Sequence, residues 1–290
     1  MPRHDGSRIA QSLRLCLSGT TIREDSESAM SISISAIYRY PVKGLSPEAL
    51  RSVALAPGRC LPQDRRFAIA LPATRFDPER PEWLAKTHFA MLMRDETLAQ
   101  LQTRFDAERG ELAVERDGRM LLQARLTEAE GRRQAGEFFT AFLHGAVEGP
   151  LRLVEAPGHA FADARRKANA TTDQYVSLIN RASIAALETA IGTPVAPLRF
   201  RANIYFDGDP AWSELDWIER EIAIGATGLR VIAAITRCAA TQVNPTTAER
   251  DLDIVERLQR GFGHNLMGVY AEVVEGGEIA VGDALTVRPA

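Results

Sequence analysis

From Ser31 onward the chain is cut into short runs with apolar residues at alternate positions, each closed by Pro, Gly or Asp-Gly. Runs of that length and period bury one face only as strands of a sheet. In SISISAIYRYPVKG, Ile32, Ile34, Ala36 and Tyr38 alternate with Ser31, Ser33 and Ser35, and Pro41 ends the run ahead of Lys43–Gly44. LRSVALAP and DRRFAIAL read as two more strands, the second with Phe67, Ile69 and Leu71 on one face and Arg66 at its leading edge. A Pro-rich loop, PATRFDPERPEW, follows. LAQLQTRF, ELAVER and RMLLQARL then form a meander with turns at Glu108–Gly110 and Asp117–Gly118. Residues 31–126 are therefore expected to form a compact antiparallel β-barrel unit.

The second half adds a few short helices to more strands. Thr127 and Glu130 fit a capping box, and Phe138, Phe139, Phe142 and Leu143 supply the apolar face of a helix closed by Gly145 and Gly149–Pro150. Residues 181–191 fit a second helix, capped by Asn180 and ended by Gly192. LRFRANIYFDG reads as the cleanest strand, with Leu198, Phe200, Ala202, Ile204 and Phe206 on one face and Arg199, Arg201, Asn203 and Tyr205 on the other. EIAIGATGLRVIAAI gives two strands around Gly225, TTAERDLDIVERLQRGFG a loop and a short helix, and the last stretch a hairpin turning at Gly276–Gly277 plus a closing strand. The expected class is mainly β (α+β), with a connecting helix and a second β domain over 127–290. Residues 1–30 are polar, without pattern, and read as a disordered tail, with Met30 as the start of the folded protein. A chain begun at Met30 is expected to keep the thermal midpoint of the full chain.

Composition narrows the function classes. Of 290 residues 45% are hydrophobic and 25% charged, and the net charge of −3 offers no basic stripe for nucleic acid. No apolar stretch approaches the ~20 residues of a membrane helix. Cys16, Cys60 and Cys238 are odd in number and far apart, which argues for a reducing compartment, the cytoplasm, over a disulfide framework. No C-x-x-C pair is present to hold a zinc or iron–sulfur centre.

The stretch RVIAAITRCAATQVNPTT places Cys238 beside Arg237 where an apolar run stops. The thiol is either a small buried hydrophobe, or a nucleophile or soft-metal ligand whose thiolate Arg237 favours. Of the histidines only His264 lies in a loop of the same half, so a Cys–His pair is the weaker version of that idea. Arg199, Arg201 and Asn203 are either a solvated face or, in a cleft, forks for a phosphate with an amide for ring heteroatoms. Lys43–Gly44 and Arg65–Arg66 carry the same two readings. Basic sites in both halves, one amide and one thiolate suit an anionic cofactor that carries a soft metal.

YRYPVKGL followed by DRRFAIA resembles the N-terminal β-barrel that precedes MOSC domains, with its Y-P-V-K-[SG] and D-R-x-[WF] patterns. LRFRANIYFDG and TRCAATQVNP resemble the R-F-R-x-N strand and R-C motif of the MOSC domain itself. The likeness covers about residues 31–290. It implies a barrel over 31–126 and a MOSC domain within 127–290. It also implies kinship with molybdenum cofactor sulfurases, amidoxime-reducing components and bacterial N-hydroxylated-base reductases. By that resemblance Cys238 ligates molybdenum. Arg201, Asn203, Thr236 and Arg237 line the molybdopterin, and Lys43, Gly44 and Arg66 reach it from the first barrel. Gly44 stands where the amidoxime reducers have serine. NATTDQ aligns ambiguously with their cofactor loop, so that either Thr172 or Asp173 takes that place. The implied activity is reduction of N-hydroxylated compounds with electrons from a separate ferredoxin- or cytochrome-type donor. The alternative is a carrier of cofactor or sulfur on Cys238. No pyridoxal-phosphate domain is read in the chain, which separates it from a full cofactor sulfurase.

Overall fold

The computed structural model describes Ser31–Pro289. The tail, Cys16 and the expected start at Met30 lie outside the described residues.

The strands are short, as their punctuation dictates: β1 (Ser33–Arg39), β2 (Glu48–Leu50), β3 (Ser52–Leu55), β4 (Phe67–Ala70), β5 (Gln102–Asp106), β6 (Glu111–Arg116) and β7 (Arg119–Arg125). Helix α1 (Ala129–Phe142) follows, then β8 (Arg152–Glu155), β9 (Val176–Asn180), α2 (Arg181–Ile191) and β10 (Ile204–Asp207). The chain ends with β11 (Glu221–Ile224), β12 (Thr227–Thr236), α3 (Ile254–Phe262), β13 (Leu266–Glu275), β14 (Gly277–Ala280) and β15 (Leu285–Val287). The fold is mainly β with few helices, as expected. Asp117 and Gly118 both take positive φ, 52° and 73°, the backbone that a two-residue hairpin between β6 and β7 requires.

The strands do not sort as their order along the chain suggested. An eight-stranded curled sheet has the order β15-β11-β12-β13-β9-β10-β1-β2, so β1 and β2 are hydrogen-bonded into the sheet of the later strands. β5-β6-β7 form the expected meander, while β4 pairs with β8 and β3 with β14. The strands of 31–126 are thus shared among four sheets and close no barrel of their own. β9 and β10 are the parallel pair of the large sheet, connected through α2, since parallel neighbours need a crossover.

Four local expectations are corrected. A register shift between Ile34 and Ala36 of β1 buries Ile34 and Ile37 in the main core and leaves Ala36 and Tyr38 against the α2/α3 side, so the expected alternation breaks at a bulge. Gly276–Gly277 is not a hairpin turn. A Cβ on Gly276 would lie 2.9 Å from the Leu55 carbonyl and one on Gly277 2.6 Å from Thr227 Oγ1, so these glycines admit neighbouring strands. The capping box at Thr127 does not form. α1 is capped at Glu128 without a side-chain bond, and Thr127 packs where a Cβ on Gly110 would lie 2.5 Å away. The strand read from Leu198 begins only at Ile204. Pro197–Phe200 is a single 3-10 turn ended by Arg201 in the left-handed region, φ 52°. The Asn180 cap of α2 and the left-handed Gly192 at its end are as expected.

Two cores result. One fills the curl of the large sheet around Leu178, Ile204, Leu229 and Val269. The other lies among the meander, β4, β8 and α1, with Phe139 and Leu143 buried as the helix periodicity required.

Candidate anion-binding cavity

β12 ends at Thr236, and the next two residues leave it at a fixed angle. The Cys238 carbonyl accepts from the Thr241 amide at 3.0 Å and from Thr241 Oγ1 at 2.9 Å, which makes Cys238 the opening residue of the 3-10 turn Ala239–Gln242. The thiol is thereby set at the wall of a cavity of about 560 Å³. Arg237, beside it, turns the other way. Its Nε donates to the Met267 carbonyl and its Nη1 to the Phe200 carbonyl, both at 2.9 Å, so the guanidinium staples β13 to the 3-10 turn.

The opposite wall comes from the first third of the chain. Pro41 stops β1, the Lys43 amide donates to the Phe67 carbonyl at 2.9 Å, and Gly44 takes φ 85°. A Cβ on Gly44 would stand 3.2 Å from the Ala90 carbonyl, so the turn is closed to larger residues. Lys43 is buried, with its ammonium on the Phe161 carbonyl at 2.9 Å and on the Asp163 carboxylate. Burial pushes its pKa down, although Asp163 pulls the other way.

Between these walls lies a stacked group. Tyr40 is fully buried, its hydroxyl donates to the Ala202 carbonyl at 3.2 Å, and the guanidiniums of Arg65 and Arg201 sit 4.6 and 4.2 Å from its ring centroid. Arg65 is engaged further: its Nη1 bonds Asp64 and its Nη2 donates to the Arg201 carbonyl at 3.0 Å. The Arg201 guanidinium has no hydrogen-bond partner among the described residues. Burial lowers its pKa, with Arg65 adding to that shift and Tyr40 opposing it. The lining as a whole carries Lys43, Lys86, Lys167 and five arginines against two carboxylates, Asp64 and Asp163. Such an excess of cations in a concave site concentrates anions.

Of the residues singled out in the sequence, the cavity brings together Lys43, Gly44, Arg201, Asn203, Thr236, Arg237 and Cys238. Asn203 is present but committed. Its Oδ1 accepts from the Ser177 amide and hydroxyl, and its Nδ2 donates to the Tyr38 carbonyl. Arg66 is not in the lining. It pairs with Glu155 and Gln63 outside, and Arg65, held in a turn with φ 49°, takes the inward place. Asp173 is also absent from the lining, and Gln174 stands there instead, while Thr172 Oγ1 donates to the Gly58 carbonyl. His264 stacks near Trp212 and Phe262 and borders neither this cavity nor the groove beside α3, which removes the Cys–His pair. Sequence reasoning missed Cys60 and Asp163. The first is flagged only by its rarity, the second by nothing in its loop.

The MOSC domain profile matches residues 159–286. Mitochondrial amidoxime-reducing component 1 of Xenopus laevis is 31% identical over 173 residues, 52% of this chain and 49% of that protein. Molybdenum cofactor sulfurase of Drosophila pseudoobscura pseudoobscura is 30% identical over 125 residues, 41% of this chain and 15% of that one. The chain thus spans about half the length of the amidoxime-reducing relative. The YUAD protein from Bacillus subtilis overlays 88% of the chain at 12% identity, with a TM-score of 0.38, too loose a fit to carry an argument. Most of the cavity wall, Cys238 included, therefore comes from the matched stretch, and residues 159–286 are a MOSC domain.

Proposed function

We propose that the cavity holds the molybdenum cofactor and that the protein is an oxidoreductase that reduces N-hydroxylated compounds, supplied with electrons by a separate redox protein. One observation carries this reading: a guanidinium without a hydrogen-bond partner among the described residues, Arg201, in a strongly cationic cavity that also exposes a thiol. The donor set fits the group. About 560 Å³ is in the range of small-molecule sites. Phosphate suits Arg201 and Lys43. Among the described residues no three His, Cys, Asp or Glu side chains converge on a metal position, so one thiolate would serve a metal already held by sulfur.

When bound, the cofactor would supply two-electron redox chemistry at a metal with an open position. The remaining tasks fall to the protein. Arg201, Lys43 and Arg65 would hold the anionic end. Arg237 and Asn203 would act at one remove, by fixing the backbone from which Arg201 and Cys238 project. Cys238 would offer its thiolate, and Tyr40 would hold two guanidiniums against its ring. The names of the matched relatives support the substrate class. Among the described residues no helix is long and apolar enough to cross a membrane.

A second reading, a carrier of cofactor or sulfur, has its own support. Cys238 also borders an open groove of about 550 Å³ beside α3, where another protein could reach the thiol. Protein produced with molybdate is expected to contain molybdenum and pterin and to reduce an amidoxime with a chemical electron donor. Full cofactor content without turnover favours the carrier. Absence of both metal and pterin sinks the oxidoreductase and the cofactor carrier and leaves only carriage of sulfur on Cys238.

A further inference from the structure

Lys43 differs from the other buried cations of the cavity in who answers its charge. Arg199 ends on the Gln242 carbonyl and Asp251, and Arg237 on the Met267 and Phe200 carbonyls, all parts of the surrounding frame. Both acceptors of the Lys43 ammonium, the Phe161 carbonyl and the Asp163 carboxylate, come from the segment between β8 and β9 that has neither helix nor strand. The pair is lopsided. The Lys43 side chain is 7% exposed and that of Asp163 52%. A carboxylate half in water reaches inward and neutralises a buried ammonium at the wall of a cavity crowded with cations.

The two acceptors are anchored differently. Phe161 is fixed: its amide donates to the Arg65 carbonyl at 2.8 Å, and its ring packs on Phe89 and Phe76 at 5.4 and 5.0 Å. Asp163, two residues on, has Lys43 as its only hydrogen-bonded partner among the described side chains. Rotation of its side chain toward water breaks that ion pair and moves no element of the frame. A carboxylate and a phosphate oxygen are equivalent acceptors for an ammonium. They cannot share it at close range, because their like charges repel.

We propose that Asp163 is an internal substitute for the anionic group of the ligand. It covers Lys43 when no anion is bound, swings out when one enters, and so sets the anion affinity of the cavity. The proposal rests on the reading that the cavity takes an anionic ligand, and adds a residue that works against binding. The charge of Asp163 also lies near Lys86 and Arg65, so its departure frees more than one cation.

The test is titration of the full chain, freed of cofactor, with inorganic phosphate by calorimetry at fixed pH and ionic strength. Asp163→Asn keeps an acceptor for Lys43 but removes the charge. It is expected to bind phosphate about tenfold more tightly than the parent. Asp163→Glu is expected to stay near the parental value. Lys43→Met, which keeps the buried stem, loses most of the binding, and the double variant Lys43→Met/Asp163→Asn does not recover it. Equal or weaker binding by Asp163→Asn overturns the proposal. So does a gain that survives in the double variant, since it would not run through Lys43, and so does an absence of phosphate binding in all of these proteins. Metal and pterin content of the cofactor-loaded preparations is read separately. The expected phosphate pattern in a protein that never acquires cofactor upholds the role of Asp163 and removes the cofactor reading alone.

Discussion

Two thiols border the cavity, and their surroundings separate them. Cys60 is pushed up to about 12, by burial first and then by Asp64, so at neutral pH it is a thiol and not a thiolate ligand. Cys238 opens a turn at the cavity wall with Arg237 behind it. Cys238→Ser is expected to abolish molybdenum-dependent turnover and to lower metal content while pterin is retained, whereas Cys60→Ser keeps both. Metal and pterin assays on one preparation check this, and parental turnover in Cys238→Ser would remove the ligand role. The arginines divide in the same manner. Arg201→Ala should weaken cofactor retention by ~1.5–3 kcal/mol, the range for a charge-assisted bond, and leave the thermal midpoint within a few degrees. Arg237→Ala leaves the buried carbonyls of Met267 and Phe200 unanswered and should cost about 3 kcal/mol of stability. If the two variants behave alike in denaturation and in pterin content, the division fails. From the sequence these arginines are indistinguishable, because each lies in a basic motif. Only their acceptors tell them apart.

Elements were legible where local chemistry decides them. α2 was readable from both ends, since Asn180 Oδ1 accepts from the Ala182 amide at 2.9 Å and Gly192 supplies φ 67°. The same Asn180 also reaches out of its helix, its Nδ2 donating to the Pro210 carbonyl at 2.7 Å and to the Asp209 carbonyl at 3.2 Å. Asn180→Ala should therefore cost about 2 kcal/mol, more than a surface cap, read as a lower denaturation midpoint with unchanged slope. A loss of a few tenths would mean that the outward bonds contribute nothing. Where an element depends on a partner distant in sequence, the local signal misleads. Leu198–Phe206 alternates cleanly, yet its first part is a 3-10 turn, since Arg199 is drawn to Gln242 and Asp251 and Arg201 closes the turn left-handed.

At the scale of the whole molecule, buried ion pairs tie the cavity to pH. Glu272 is almost wholly buried on β13. Burial raises its pKa, but the Thr171 amide and Arg230 outweigh that and hold the carboxyl below its usual range. A group with a depressed folded pKa contributes stability above its unfolded value, about 4.3 for Glu, and that contribution disappears as pH falls through the folded value. Glu272→Gln should thus lower the thermal midpoint at pH 6, and its deficit against the parent should shrink below about pH 4. A deficit constant over that range would show that Glu272 is not the titrating group. Because Glu272 holds Thr171, the same variant should loosen the segment that brings Gln174 to the cavity. The sequence by itself determined the mainly β class, the D-G hairpin, α2 with its caps, and the motifs around Lys43, Arg201 and Cys238, all set by short-range periodicity, turn chemistry and residue type. Only the tertiary structure decided that β1 and β2 join the sheet of the last strands, that Arg65 and not Arg66 faces inward, that Arg237 and Asn203 are spent on the backbone, and that Asp163 meets Lys43. Those outcomes depend on strand pairing and acceptor position far along the chain, from the 30-residue separation of Arg237 and Met267 to the 120-residue separation of Lys43 and Asp163, and no local pattern encodes which distant partner a side chain will find.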